Sequence, residues 1–180
     1  MKYLFFGMAL LLLAACSESK TDNGADNATE TKSESKTVDA AITTASGDLK
    51  NGITVEEKGL KVTKAMLLTA DGTAINDDNT VGIGDEILCR LFVSGWQVTN
   101  GKVKLGAGQT IETEEGNLVL DEPDLFSDIE SANAEDAGIV TLKATITELK
   151  KSIKTFVVGF RVWDKVSNAE VKGEYTFHLK

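Results

Sequence analysis

The stretch WQVTNGKVKL, residues 96–105, is the clearest fold signal in the chain. Its central Asn100-Gly101 is the preferred pair for a two-residue hairpin turn, because both residues tolerate the positive φ of a type I′ turn. Folding at that turn places Val98 opposite Val103, and the ends of the stretch, Trp96 and Leu105, form the next pair. The turn and the hydrophobic phase agree, so the stretch predicts two paired antiparallel strands.

Four other runs alternate apolar and polar residues with a period of two, the pattern of antiparallel strands with one buried face. They are residues 86–94, 139–147, 155–163 and 171–180. A further hairpin is predicted where residues 110–113 fold onto residues 118–120. Counted from Lys61, the sequence predicts about seven to eight short strands and therefore an all-β antiparallel sandwich.

One segment of this region is predicted to be helical. It is EPDLFSDI, residues 122–129, because proline is accepted in a first helical turn. A helix here would place Leu125, Phe126 and Ile129 against one end of the core.

The closing residues FRVWDKVSN, 160–168, and the alternating strand after them resemble the last hairpin of bacterial immunoglobulin-like domains. The resemblance implies an immunoglobulin-like β-sandwich. It implies no activity, because such sandwiches carry many unrelated functions.

The chain begins with Lys2 and an apolar run from Tyr3 to Ala15. The run is shorter than the roughly 20 residues of a transmembrane helix and has the layout of a signal peptide. The quartet Leu13-Ala14-Ala15-Cys16 resembles the lipobox of bacterial lipoproteins. This resemblance implies that residues 1–15 are removed, that Cys16 carries acyl chains such as palmitate, and that the protein is anchored in the cell envelope. Ser17 is compatible with sorting to the outer membrane.

The next segment, SESKTDNGADNATETKSESK, residues 17–36, contains no aromatic and no branched aliphatic residue. It cannot bury enough apolar surface to offset the entropy of ordering it. Residues 16–54 are therefore assigned to the lipidated cysteine and a disordered tether, and residues 55–180 to the sandwich. Within residues 37–58 the sequence leaves two alternatives, a short helix with an edge strand or a loosely packed lead-in.

The formal net charge is −9. This balance argues against a nucleic-acid partner, because phosphate binding requires a basic surface. An anionic membrane surface would also repel the chain, so attachment is expected from the acyl chains on Cys16. With Cys16 lipidated, Cys89 has no intramolecular disulfide partner. Its phase with Ile87 and Leu91 predicts a buried core residue.

No catalytic arrangement is predicted. The single histidine, His178, lies on the polar phase of the last strand, and any Ser-His-Asp or Cys-His arrangement would have to use it. One histidine and one core cysteine cannot supply the several ligands of zinc or copper sites. The sequence therefore predicts that the protein is not an enzyme and needs no cofactor.

Carboxylates form two clusters. One contains the possible calcium ligands Asp71, Asp77, Asp78 and Asp85, since oxygen-rich loops between strands suit a hard cation. The spacing does not fit an EF-hand loop, and Asp and Asn are also ordinary turn residues. The other contains Asp121, Glu122, Asp124 and Asp128.

Trp96 and Trp163 are the candidate ligand-binding residues, because an exposed tryptophan at the edge of a sandwich can stack on a sugar or anchor a protein. Packing against the core or covering a hairpin is the alternative role for both.

Together these features predict a lipid-anchored, non-catalytic module that binds another envelope protein through a strand edge or loops. The alternative is a surface module that binds carbohydrate or depends on calcium.

Overall fold

A computed structural model describes residues 41–148 and 153–180 of the chain. The predicted signal peptide, Cys16 and the first part of the predicted tether lie outside the described residues. The described part contains thirteen strands, a single 3₁₀ turn and no α-helix. Five of these strands have two residues, and the other eight have five to ten. Seven of these eight lie from Lys61 onward, which agrees with the predicted seven to eight.

The strands are β1 (Thr43–Thr44), β2 (Asp48–Leu49), β3 (Thr54–Lys58), β4 (Lys61–Thr69), β5 (Thr80–Val81), β6 (Glu86–Ser94), β7 (Lys102–Val103), β8 (Leu105–Thr113), β9 (Leu118–Glu122), β10 (Ala132–Asn133), β11 (Ile139–Thr145), β12 (Thr155–Asp164) and β13 (Glu170–Leu179), with the 3₁₀ turn at Asp136–Gly138.

Two sheets form a sandwich. The larger sheet has the order β1-β3-β13-β12-β8-β9, with β5 beside β13, and the smaller sheet has the order β11-β6-β4-β2. Strands β7 and β10 form a separate pair. If β4, β6 and β11 are strands A, B and E, then β8, β9, β12 and β13 are C, C′, F and G, which is an immunoglobulin-like order. The predicted fold class is confirmed.

The core follows from the alternation in the sequence. In β6 the residues Ile87, Cys89, Leu91 and Val93 are buried, and their neighbours are less so. Strands β11, β12 and β13 keep the predicted phase in the same way. The inward faces of both sheets meet in one apolar cluster. Removing these faces from water, at about 25 cal/mol per Å² of apolar area, drives the two sheets together.

The Asn100-Gly101 turn is confirmed, but the hairpin around it is one residue pair long. The two φ angles are 52° and 73°, and Thr99 and Lys102 exchange backbone hydrogen bonds of 2.8 and 3.0 Å. The predicted pairs of Val98 with Val103 and of Trp96 with Leu105 are wrong. Other strands pair with these residues instead. Strand β7, which contains Val103, pairs with β10, and Leu105 begins β8, which pairs with β12.

The two other predicted hairpins are present. Strand β9 returns along β8, with Ile111 opposite Leu120. Strands β12 and β13 form the closing hairpin, with Val162 opposite Val171.

Two expectations are corrected. In the segment 122–129, Glu122 ends β9 and the following residues form a turn instead of a helix. The Leu125 N–H donates to the Ala107 carbonyl of β8 at 2.6 Å and holds the chain against that strand. Ordered structure also begins before residue 55, since β1 and β2 lie in the segment assigned to the tether. Strand β1 pairs with β3 and strand β2 with β4.

Candidate functional site

The predicted lipidation site, Cys16, lies outside the described residues. Within residues 41–148 and 153–180 no helix is both long enough and apolar enough to span a bilayer.

Cys89 is a core residue, as predicted, with no exposed surface. Burial raises the pKa of its thiol to about 12. Tyr175 is also buried, and its pKa lies well above the ordinary value, first because of burial and then because of Cys89. A thiol with so high a pKa is a poor nucleophile, since the thiolate is the reactive form.

His178 lies on the exposed face of β13, as predicted, with Nδ1 3.2 Å from the Thr155 hydroxyl. It lines a polar hollow of about 500 Å³ together with Asp77 and Asp78.

The four possible calcium ligands are not brought together as one group. Asp71 is exposed, and hydrogen bonds from the Thr69 hydroxyl and the Thr73 N–H lower its pKa. Asp85 accepts the Gly82 N–H at 2.6 Å. Only Asp77 and Asp78 line the same hollow. In the described part of the chain no three His, Cys, Asp or Glu side chains lie close enough to hold a metal ion. Calcium binding itself stays a prediction.

Trp96 and Trp163 are both engaged within the domain. Trp96 packs partly against the core and donates from Nε1 to the Ala137 carbonyl at 3.0 Å. Trp163 points outward from β12 and lies over Gly106, where an added Cβ would be 2.2 Å from the indole Cε2. The Arg161 guanidinium lies over the same ring, 4.8 Å from its centroid. These contacts favour the packing role that the sequence left open.

Asp164 links the segment that follows Trp96 to the turn that follows Trp163. Asp164 as a whole is 1% exposed. It accepts the Gln97 N–H at 2.6 Å and the Val166 N–H at 2.8 Å. Gln97 is thereby held to the turn between β12 and β13.

A hollow of about 370 Å³ lies beside Trp163. Its charged side chains are paired within the domain, Arg161 with Glu170 at 2.6 Å and Lys165 with Asp124 at 2.8 Å. Burial opposes the ionisation of both carboxyl groups, but their cationic partners outweigh it and lower the pKa of each. These two ion pairs therefore stabilise the fold at the hollow and do not leave the charges free for a ligand.

The last strand of the larger sheet, β9, is an edge strand with exposed apolar residues. In the described residues β9 pairs only with β8, so one side of its backbone has no neighbouring strand. Leu118 and Val119 are adjacent, and 60% and 50% of their surfaces are exposed. Leu125 and Ile129, just beyond the strand, are also exposed.

The end strand of the smaller sheet, β11, differs from β9. Its outward residues are polar along most of its length, and Lys143 among them pairs with Glu86 at 3.5 Å. Outward lysine is a common guard against pairing at a sheet edge. Of the two end strands longer than two residues, β9 and β11, only β9 presents two adjacent exposed apolar side chains in the described residues.

The sequence shows the acidic residues near β9, but its alternation pattern does not predict this edge. The available signal was the run Leu118-Val119-Leu120, in which apolar residues do not alternate with polar ones. We call residues 112–130 the acidic edge, because they contain β9, its two flanking turns and the second carboxylate cluster.

No protein-family model and no curated protein matches the sequence. Among solved structures, the crystal structure of the C-terminal domain of wzt is similar at 12% identity, with a TM-score of 0.45. The match covers 74% of this chain and 81% of that one. A likeness at this level identifies no function.

Proposed function

We propose that this protein is a lipid-anchored, non-catalytic module of the cell envelope that holds a protein partner along β9. The observation that carries the proposal is the open side of β9 combined with its exposed Leu118 and Val119. Main-chain groups on such an edge accept an added strand, and the side chains beside them select it.

The rest of the domain supports a non-catalytic role. In the described residues the thiol of Cys89 is buried with a raised pKa, and His178 contacts only a threonine hydroxyl among polar side chains. The charged groups beside Trp163 pair with one another. The exposed pair of His178 and the Thr155 hydroxyl has no acidic side chain hydrogen-bonded to the ring in the described residues, so it lacks the third group of a catalytic triad.

The anchor belongs to the same proposal. The lipobox-like quartet ending at Cys16 would attach the module to the membrane through acyl chains, since two lipid signals give stable attachment. Anchoring raises the effective concentration of the module near an envelope partner, so a weak contact at β9 suffices.

Site-specific photo-crosslinking in intact cells tests this proposal. A photoreactive residue replaces Leu118 in one strain and Ile83 in a second. Ile83 is a matched control, because it is 51% exposed and lies outside the acidic edge. We expect one envelope protein to crosslink at position 118 and not at position 83, and Cys16→Ser to reduce the yield. Absence of any protein crosslink at position 118, or the same products from both positions, would refute docking at β9.

A further inference from the structure

We infer that the segment docking on β9 is an extended peptide in which apolar residues alternate with Lys or Arg. The inference rests on the docking proposed above and specifies the chemistry of the partner.

The first support is charge. From Leu105 to Leu142 the chain contains ten Asp and Glu residues and no Lys or Arg. This stretch carries −10 and the whole chain −9, so all other residues together carry +1. Eight of these ten carboxylates lie within the acidic edge, residues 112–130. Complementary charge accelerates encounter and excludes partners of like charge.

The carboxylates nearest to β9 are available to a partner. Asp121 and Glu122 lie on the strand itself, and both are exposed. Glu114 and Glu115 are exposed in the turn that precedes it. Asp124 differs, because it pairs with Lys165. A second copy of this edge would bring the same carboxylates together, so charge disfavours self-association through β9.

The second support is an apolar hollow at the start of β9. It has a volume of about 320 Å³ and is lined by Leu118, Val119, Ile146, Ile153 and Phe156, with Glu148 also at its wall. An apolar side chain of a docked strand fits such a hollow, and the neighbouring carboxylate suits a basic residue beside it.

The backbone decides that the partner is extended. Val119 is skipped in the pairing with β8, so Ile111 faces Leu120 and Glu112 faces Leu118. This irregularity and the carboxylates limit unspecific pairing. The free side of an end strand hydrogen-bonds to another extended backbone along its length, whereas the main-chain groups of a helix are already paired except at its two ends. An anionic membrane surface is repelled by the same carboxylates.

Peptide binding to the full lipidated chain in nonionic detergent micelles tests the inference, with empty micelles as background. The probe is a fluorescent peptide of about nine residues, a common strand length, in which Val and Lys alternate. Two controls are the peptide with Glu in place of Lys and the Val-Lys peptide N-methylated at every residue, which has no N–H group left to donate to a strand edge. We expect only the first to bind, and its binding to weaken with salt.

Variants locate the site on the protein. The triple variant Glu115→Gln, Asp121→Asn, Glu122→Gln should weaken binding about tenfold, because each exposed carboxylate contributes a modest interaction. The matched variant Asp48→Asn, Glu56→Gln, Glu174→Gln removes three exposed carboxylates elsewhere and should leave the affinity unchanged. Equal weakening in both variants, equal binding of the Glu peptide, or equal binding of the N-methylated peptide would overturn the inference.

The two proposals fail separately. A partner crosslinked at position 118 in cells, with no binding of the Val-Lys peptide, overturns the basic extended segment and supports docking at β9. Peptide binding that depends on the acidic edge, with no crosslink in cells, supports the chemistry of the edge and overturns the proposed function.

Discussion

Asn51 and Asn79 hold one another inside the domain. The Asn51 Nδ2 donates to Asn79 Oδ1 at 2.9 Å, and the Asn79 Nδ2 donates to the Asn51 carbonyl at 2.8 Å. Asn51 Oδ1 also accepts the Leu67 N–H of β4, and Asn79 donates to the Thr176 carbonyl of β13. The pair therefore links the smaller sheet to the larger one. Both residues have a positive φ, 57° and 50°, which asparagine tolerates better than most residues.

Replacing Asn51 with Ala should lower the free energy of unfolding by about 3 kcal/mol. The change removes the acceptor of the buried Leu67 N–H and the donor to Asn79, and an orphaned buried group costs about 1–3 kcal/mol. Chemical denaturation of the two proteins measures the difference.

The matched control is Asn100→Ala. Asn100 also has a positive φ of 52°, but it is exposed in the turn before β7. The Asn100→Ala variant should lose only about 1 kcal/mol of unfolding free energy, because alanine is strained at a positive φ. Equal losses for both variants would show that the hydrogen bonds of Asn51 contribute nothing.

Adding a methyl group at Gly106 should displace Trp163. An added Cβ would lie 2.2 Å from the indole, so Gly106→Ala should cost about 2 kcal/mol through overpacking. In a Trp163→Ala background the same change should cost much less, because the ring is gone. Gly138→Ala, at a position with no neighbouring atom within 4 Å, is the control. A Gly106 effect that is independent of Trp163 would contradict this contact.

Cys89 should resist thiol reagents in the folded chain. Its pKa of about 12 leaves little thiolate near pH 8, and the side chain is inaccessible. In a Cys16→Ser chain, a chromogenic disulfide reagent should label Cys89 at the rate of unfolding and promptly in denaturant. Rapid labelling under native conditions would contradict the described burial.

The Glu170–Arg161 ion pair should make the free energy of unfolding depend on pH. Burial raises the pKa of Glu170, but its hydrogen bond and charge interaction with Arg161 outweigh this, so the native pKa is below 4.5. The stabilisation is therefore complete above pH 4.5 and is lost as the pH falls through the lowered native value.

At neutral pH, Glu170→Gln should lower stability by no more than about 1 kcal/mol, because Arg161 is largely exposed. Melting curves should show this difference shrinking below pH 4.5. The exposed Glu174→Gln is the control. If the difference in stability between wild type and Glu170→Gln grew as the pH fell, the pKa of Glu170 would be raised in the folded protein and not lowered.

The candidate tryptophans illustrate the limit of reading sites from sequence. Strand phase places Trp163 on the outer face of β12, where it is found. The phase does not reveal that Gly106 from another strand lies beneath the ring, because that contact depends on how β12 pairs with β8. Trp96 lies in no strand, because β6 ends at Ser94.

By itself the sequence determined the all-β class, the inward residues of β6, β11, β12 and β13, the Asn100-Gly101 turn and the buried state of Cys89. These are local properties, because alternation and turn chemistry act over a few neighbouring residues. Only the tertiary structure decided that β7 leaves its hairpin for β10, that β1 and β2 join the domain, and that β9 lies last in its sheet. Each of these depends on competition between distant strands for the same backbone hydrogen bonds, which no local pattern records.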